Sequence, residues 1–221
     1  MTPHTKTDTV TLYCGDSATL LHMAPENSLW IIDPPWEIDV FMPTDVPRIV
    51  FCDGGRFGGV IDIHGAPSWV FTWDCVSSWY TKNRPLRRAK YALFYGSMSS
   101  YRFDGAHYGG TRSADPRVVR NTRSEYLFTP SAKGRHLSDV FVQPITQLHK
   151  NGHKHEKPLD WMRMLIANCI GSCSSVFDPF AGSGASLDAA RTLGIPSIGI
   201  ELDPLCCDSI ASRLGQSVIP C

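Results

Sequence analysis

Short apolar runs punctuate the chain at Thr9–Cys14, Leu29–Asp33, Trp69–Trp73, Tyr91–Tyr95, Tyr126–Thr129, Ser175–Asp178 and Ser197–Glu201, and each predicts a strand. Helical segments follow several of them, at Ser17–Met23, Asp74–Thr81, Pro158–Ile170, Ala185–Leu193 and Pro204–Leu214. In the last two, apolar residues recur at helical spacing: Leu187, Ala190 and Leu193, then Leu205, Ile210 and Leu214. Strands alternating with helices predict an α/β fold with a mostly parallel sheet covered on both faces. Two segments break the pattern. Phe51–Pro67 is glycine-rich with little periodicity and reads as a mobile loop, and residues 96–124 mix Gly, Ser, Tyr and Arg without regular spacing. Both fall between predicted strands, where the binding loops of an open α/β sheet emerge.

Composition narrows the class. The 221 residues are 43% hydrophobic and 19% charged, which suits one globular domain spanning 1–221. No run approaches the roughly 18 apolar residues of a membrane span, and Met1–Val10 is polar, without the apolar core of a secretory signal. These features predict a cytoplasmic protein with no membrane partner. The eight cysteines form no CxxC pair, so they read as free thiols rather than zinc ligands or a disulfide framework. The cluster from His149 to His155 lacks an acidic or thiol partner at helical spacing, and no metal is expected.

The formal net charge of zero hides an uneven distribution. Between Lys82 and Arg135 there are twelve Lys/Arg against three Asp/Glu, and the remainder holds nine against eighteen. A basic block in an otherwise acidic chain is the footprint of a polyanion site, with a solvated surface as the plain alternative.

Two stretches carry chemistry. In Leu29-Trp30-Ile31-Ile32-Asp33-Pro34-Pro35-Trp36 a hydrophobic strand ends in an acid, two prolines and an aromatic ring. The prolines fix the backbone and lack N–H donors, so the Asp33 carboxylate and the Pro34 carbonyl both present acceptors. That cup suits a flat ligand with an exocyclic amino group and a π-face for Trp36; a proline turn beside a buried tryptophan is the structural alternative. The second stretch, Ser175 to Ala185, reads strand, glycine turn, helix, the place where α/β folds hold nucleotide-like cofactors. It is not a dinucleotide fingerprint, because Leu187 stands where the third glycine belongs. The next strand ends in Glu201, an acid able to accept both hydroxyls of a ribose. A glycine turn with a ribose acid but no pyrophosphate motif points to an adenosyl ligand.

Together these stretches resemble the S-adenosylmethionine-dependent DNA amino-methyltransferases, in the β arrangement where the catalytic motif precedes the cofactor motif. The resemblance spans almost the whole chain. Tyr13-Cys14-Gly15-Asp16 is similar to the family's Gly-Asp segment, which implies that Asp16 contacts the cofactor's adenine. Asp33-Pro34-Pro35-Trp36 matches the catalytic tetrapeptide, and its Asp with a terminal aromatic is similar to adenine-N6 enzymes; cytosine-N4 members more often begin with serine. Ser124-Glu125-Tyr126-Leu127-Phe128 resembles the strand near the family's His-Glu segment, with Ser in place of His. His155-Glu156-Lys157-Pro158-Leu159 matches the Lys-Pro approach to the helix before the cofactor loop, and Asp178-Pro179-Phe180-Ala181-Gly182-Ser183-Gly184 matches that loop. The resemblance implies a Rossmann-like seven-stranded sheet, mostly parallel, with helices on both faces. It implies cofactor contacts at Asp16, Lys157, Asp178, Phe180, Gly182, Ser183, Gly184 and Glu201.

The implied reaction moves a methyl group from S-adenosylmethionine to adenine N6 in DNA. Asp33 and the Pro34 carbonyl would accept from the amino group, Pro35 would hold the turn, and Trp36 would stack on a flipped base. Members reading a defined site usually carry a larger recognition insertion than the short candidate loop 96–124. Within it, Arg102, Arg112, Arg117, Arg120 and Arg123 are the expected nucleic-acid contacts, which predicts a short or degenerate target context. A homodimer would double that reading surface. Cytosine-N4 or RNA adenine-N6 transfer, and a non-catalytic nucleic-acid binder, are the competing readings. A restriction partner, a solitary regulator and a phage-borne self-protection enzyme would share all these features.

Overall fold

The computed structural model describes residues 2–34, 43–75, 88–98, 102–103, 135–136, 139–144 and 156–216. The expected catalytic Pro35 and Trp36, the strand Tyr126–Thr129, the histidine cluster, and Arg112, Arg117, Arg120 and Arg123 lie outside the described residues. In chain order the strands are β1 (Thr5–Lys6), β2 (Val10–Cys14), β3 (Ser28–Ile32), β4 (Arg48–Asp53), β5 (Trp69–Asp74), β6 (Ala89–Tyr95), β7 (Arg102–Phe103), β8 (Arg135–His136), β9 (Val140–Val142), β10 (Ser175–Asp178) and β11 (Ser197–Glu201). The helices are α1 (Ser17–Leu20), extended by a 3-10 turn over Leu21–Met23, then α2 (Phe57–His64), α3 (Leu159–Cys169), α4 (Ala185–Thr192) and α5 (Pro204–Gln216).

Nine of the described strands form one sheet in the order β1-β2-β11-β10-β3-β4-β6-β5-β9, and β7 and β8 pair separately. Neighbours from β2 through to β4 run parallel, while β6 is antiparallel to both β4 and β5. The seven strands from β2 to β5 are thus the expected mostly parallel sheet; antiparallel β1 and parallel β9 extend its edges. Burial on both faces explains why β3 reads as an unbroken apolar run. Leu29 and Ile31 pack with Trp161, Met162 and Leu165 of α3 on one face, whereas Trp30 and Ile32 join Leu20, Val60 and Ile61 on the other. The chain enters β3 long before β10, yet the two pair side by side, and the order of the sheet reverses between them. In open α/β sheets ligands bind outside the carboxyl ends of the strands at such a switch point.

Two expectations need correction. Phe51–Pro67 is not a loop: it holds the end of β4 and the whole of α2. Tertiary packing overrides its glycines, since Phe57 meets Tyr91 edge-on at 5.1 Å and Val60 and Ile61 pack against the sheet. The helix expected from Asp74 onward does not begin there. Asp74 is the last residue of β5 and takes the Arg88 guanidinium on both carboxylate oxygens; residues 76–81 are outside the described set.

β4 opens on a buried cation, which hid it from a hydrophobicity reading. Arg48 donates to the Thr44 and Val46 carbonyls at 2.7 and 3.0 Å, lies 4.3 Å from the Tyr95 ring centroid, and reaches His64 Nδ1 at 3.1 Å. Burial and the Arg48 charge hold the His64 pKa below its ordinary 6.5. Below about pH 6.5 the unfolded chain therefore binds a proton that the folded protein resists, and stability falls as pH drops. Melting temperature recorded from pH 7.5 to 5 should decline, and His64→Gln should flatten that decline. An unchanged slope in the variant would remove His64 from the account.

Candidate active site

Four neighbouring strand ends bring four carboxylates to one edge of the sheet. Asp16 follows β2, Glu201 ends β11, Asp178 ends β10 and Asp33 follows β3, and these strands are consecutive neighbours. Asp16 is exposed and caps α1, its Oδ1 accepting from Ala18 N at 2.9 Å. Glu201 bridges two backbone segments: Oε2 accepts from Gly182 N at 2.7 Å and Oε1 from Asp203 N at 2.9 Å. The β2 turn is tied to the same residue, because Gly15 N donates to the Glu201 carbonyl at 2.8 Å.

Asp178 is buried and shapes the glycine turn from below. Its Oδ1 accepts from Phe180 N at 2.9 Å and its Oδ2 from the Ser186 hydroxyl. Burial pushes its carboxyl up to about 7, with the nearby Asp33 charge adding to the rise; the Ser186 and Phe180 hydrogen bonds and the Lys157 charge oppose it. Gly184, at φ 75°, turns the chain into α4, and a Cβ there would meet Ile210 Cγ2 of α5 at 2.9 Å. The third fingerprint glycine is absent for a reason visible in the packing. Close helix–strand approach is supplied by Gly199 of β11, where a Cβ would lie 2.5 Å from Leu187 Cδ1. Leu187 fills that space and is fully buried.

Asp33 is half-exposed, and its Oδ2 pairs with Lys157 Nζ; among the described residues its other oxygen has no partner. Lys157 Nζ also lies 4.9 Å from the Phe51 ring centroid. The structure therefore brings Lys157 to the expected catalytic acid, which lies at the end of β3. Half-buried Phe180, one of the expected cofactor contacts, follows Asp178, and exposed Leu202 and Leu205, which were not among the expected site residues, follow Glu201.

The Ser183 carbonyl accepts from Arg213 Nη1 at 3.2 Å. The same guanidinium reaches Glu156 at 2.6 Å and Asp188 at 3.1 Å. Sequence reasoning missed Arg213 because it belongs to no motif and lies 57 residues from Glu156. Of the expected nucleic-acid contacts, the structure describes only the backbone of Arg102, in β7.

Residues 67–212 match the N6_N4_Mtase family model, described as DNA methylase. The chain belongs to this DNA methylase family. Type II methyltransferase M.HindIII of Haemophilus influenzae is 37% identical over 78 residues, which make up 35% of this chain and 25% of that protein. The match thus spans about a quarter of the relative's length. Among solved structures, PvuII DNA methyltransferase (cytosine-N4-specific) superposes with a TM-score of 0.64 at 15% identity, covering 99% of this chain and 90% of that one. The M1.HpyAVI–SAM complex gives 0.56 at 15% identity, covering 92% and 99%. These likenesses confirm the Rossmann-like methyltransferase fold expected of a DNA methylase.

Proposed function

We propose that this DNA methylase transfers a methyl group from S-adenosylmethionine to the exocyclic N6 of adenine in DNA. The observation that carries the reading is the position of Asp33 at the switch point of the sheet, beside the Asp178 glycine turn, with one oxygen held by Lys157 and the other without a partner among the described residues. Strand ends and donors suit the cofactor. Glu201 and Asp16 offer acceptors at adjacent ends, Leu202 and Phe180 offer apolar surface, and the turn from Gly182 to Gly184 permits close backbone approach. When bound, the cofactor supplies an electrophilic methyl group on a sulfonium.

The chain's own residues then have a positioning task. Adenine N6 is a poor nucleophile because its lone pair is delocalised into the ring. Hydrogen bonds from the amino group to Asp33 and the Pro34 carbonyl favour a pyramidal nitrogen and stabilise the positive charge that develops on attack. Most of the rate comes from holding the two reactants in line. The flipped base stacks on Trp36, and phosphate contacts from the basic block offset the few kcal/mol of lost pairing and stacking. Few residues in 96–124 suit base edges, so a short or degenerate context is proposed. Arg102, Arg112, Arg117, Arg120 and Arg123 act mainly on phosphates.

Cytosine-N4 transfer is the second reading, favoured by the fold shared with a cytosine-N4-specific enzyme; the acid at Asp33 favours adenine. Labelled S-adenosylmethionine incubated with mixed-sequence DNA from a methylation-free host and with mixed-sequence RNA, followed by separation of the nucleosides, distinguishes the readings. Label in N6-methyladenine of the DNA alone is expected. Label in N4-methylcytosine supports cytosine, and label in the RNA alone moves the substrate to RNA.

A further inference from the structure

The Arg213 guanidinium ties residues 183–188 to Glu156, which the sequence keeps well apart. Nη1 reaches Glu156 Oε1 at 2.6 Å and the Ser183 carbonyl at 3.2 Å, while Nε reaches Asp188 Oδ2 at 3.1 Å. Glu156 is 7% exposed and Asp188 6%, so both carboxylates depend on nearby cations; Asp188 has a second one in Arg191, at 2.9 Å. The three acceptors are not equivalent in consequence. Ser183 belongs to the cofactor turn, Asp188 to the first turn of α4, and Glu156 immediately precedes Lys157, which pairs with Asp33.

We infer that Arg213 is a positioning residue that couples the cofactor turn to the catalytic acid, acting through Ser183 on one side and through Glu156 and Lys157 on the other. The inference rests on the methyl-transfer reading above. An arginine suits the task because its planar fork donates in several fixed directions at once, which a lysine ammonium on a flexible stem does not. If Arg213 only supported cofactor binding, its loss would raise KM for S-adenosylmethionine and leave kcat unchanged. Coupling to Asp33 requires that kcat fall as well, even at saturating cofactor.

The experiment compares the full-length wild type with Arg213→Met, Arg213→Lys and the double variant Glu156→Gln/Arg213→Met. Three quantities are recorded: melting temperature, the S-adenosylmethionine dissociation constant by calorimetry, and kcat with KM on DNA. Arg213→Met should weaken the cofactor and lower kcat, each by about tenfold or more, and should lower the melting temperature because a buried carboxylate loses its partner. The double variant should regain melting temperature without regaining affinity or kcat. Arg213→Lys should melt near the wild type and remain impaired in both functional readings. Wild-type affinity and kcat in Arg213→Lys or in the double variant would overturn the inference. So would a change in affinity with kcat intact. A wild type that binds no S-adenosylmethionine would instead overturn the methyl-transfer reading, and this inference with it.

Discussion

Replacing Asp33 by alanine is expected to lower methyl transfer by about a hundredfold or more, roughly 2.7 kcal/mol of barrier, while cofactor affinity changes by less than about threefold. The asymmetry follows from geometry. Lys157 takes Oδ2, and the other oxygen has no hydrogen-bond partner among the described residues, so it is the acceptor proposed for the amino group of the target. The carboxylate is 42% exposed, which leaves it open to an incoming base. Its removal eliminates the acceptor proposed for the charge developing on the nitrogen and leaves Lys157 Nζ without its carboxylate partner. Asp33→Asn keeps the shape but not the charge and should be nearly as impaired. Single-turnover rates give the first quantity and calorimetry the second. Retention of a tenth of wild-type turnover, about 1.4 kcal/mol, would contradict the role.

Glu201→Ala should have the largest effect on cofactor binding, about a hundredfold in dissociation constant. The carboxylate makes two charge-assisted hydrogen bonds to backbone N–H groups, at Gly182 and Asp203, each worth roughly 1.5–3 kcal/mol. One of them fixes the glycine turn itself. The variant therefore loses both the proposed ribose acceptor and the shape of the loop beside it. Glu201→Gln retains an acceptor for one of the two and should fall between wild type and alanine. Turnover at saturating cofactor should decline far less than affinity, because Asp33 stands two strands away. An unchanged dissociation constant would remove Glu201 from the site.

These two acids were legible because each ends a hydrophobic strand within a motif, where local pattern and global fold agree. The central strands β3, β10 and β11 and the helices α3, α4 and α5 were readable for the same reason: apolar spacing matches the faces they bury, except at Leu205 of α5, which is exposed while Ile210 and Leu214 are buried. β4 and α2 were not. Arg48 and Asp53 place charges at the two ends of β4, and both are buried: Arg48 against His64 and Tyr95, which only the fold supplies, and Asp53 with Oδ1 accepting from Gly55 N in the turn that follows. Gly58 and Gly59 lower the helical propensity of α2, which is held by Phe57, Val60 and Ile61 against the sheet. Lys157 was recognised, but its pairing with Asp33 was not, since 124 residues separate them. Arg213 left no local trace at all. Its acceptors at Glu156, Ser183 and Asp188 converge only when α5 packs on the turn.

The central claim is that the site formed at the ends of β3 and β10 methylates adenine N6 in DNA. Its most direct test is nucleoside mass spectrometry with single-molecule mapping of DNA from a methylation-free host expressing the wild type or Asp33→Ala. N6-methyladenine should appear with the wild type, at many short or degenerate contexts, and be strongly reduced with the variant. N4-methylcytosine in place of N6-methyladenine, or unmodified DNA from cells holding folded wild-type protein, would contradict the account.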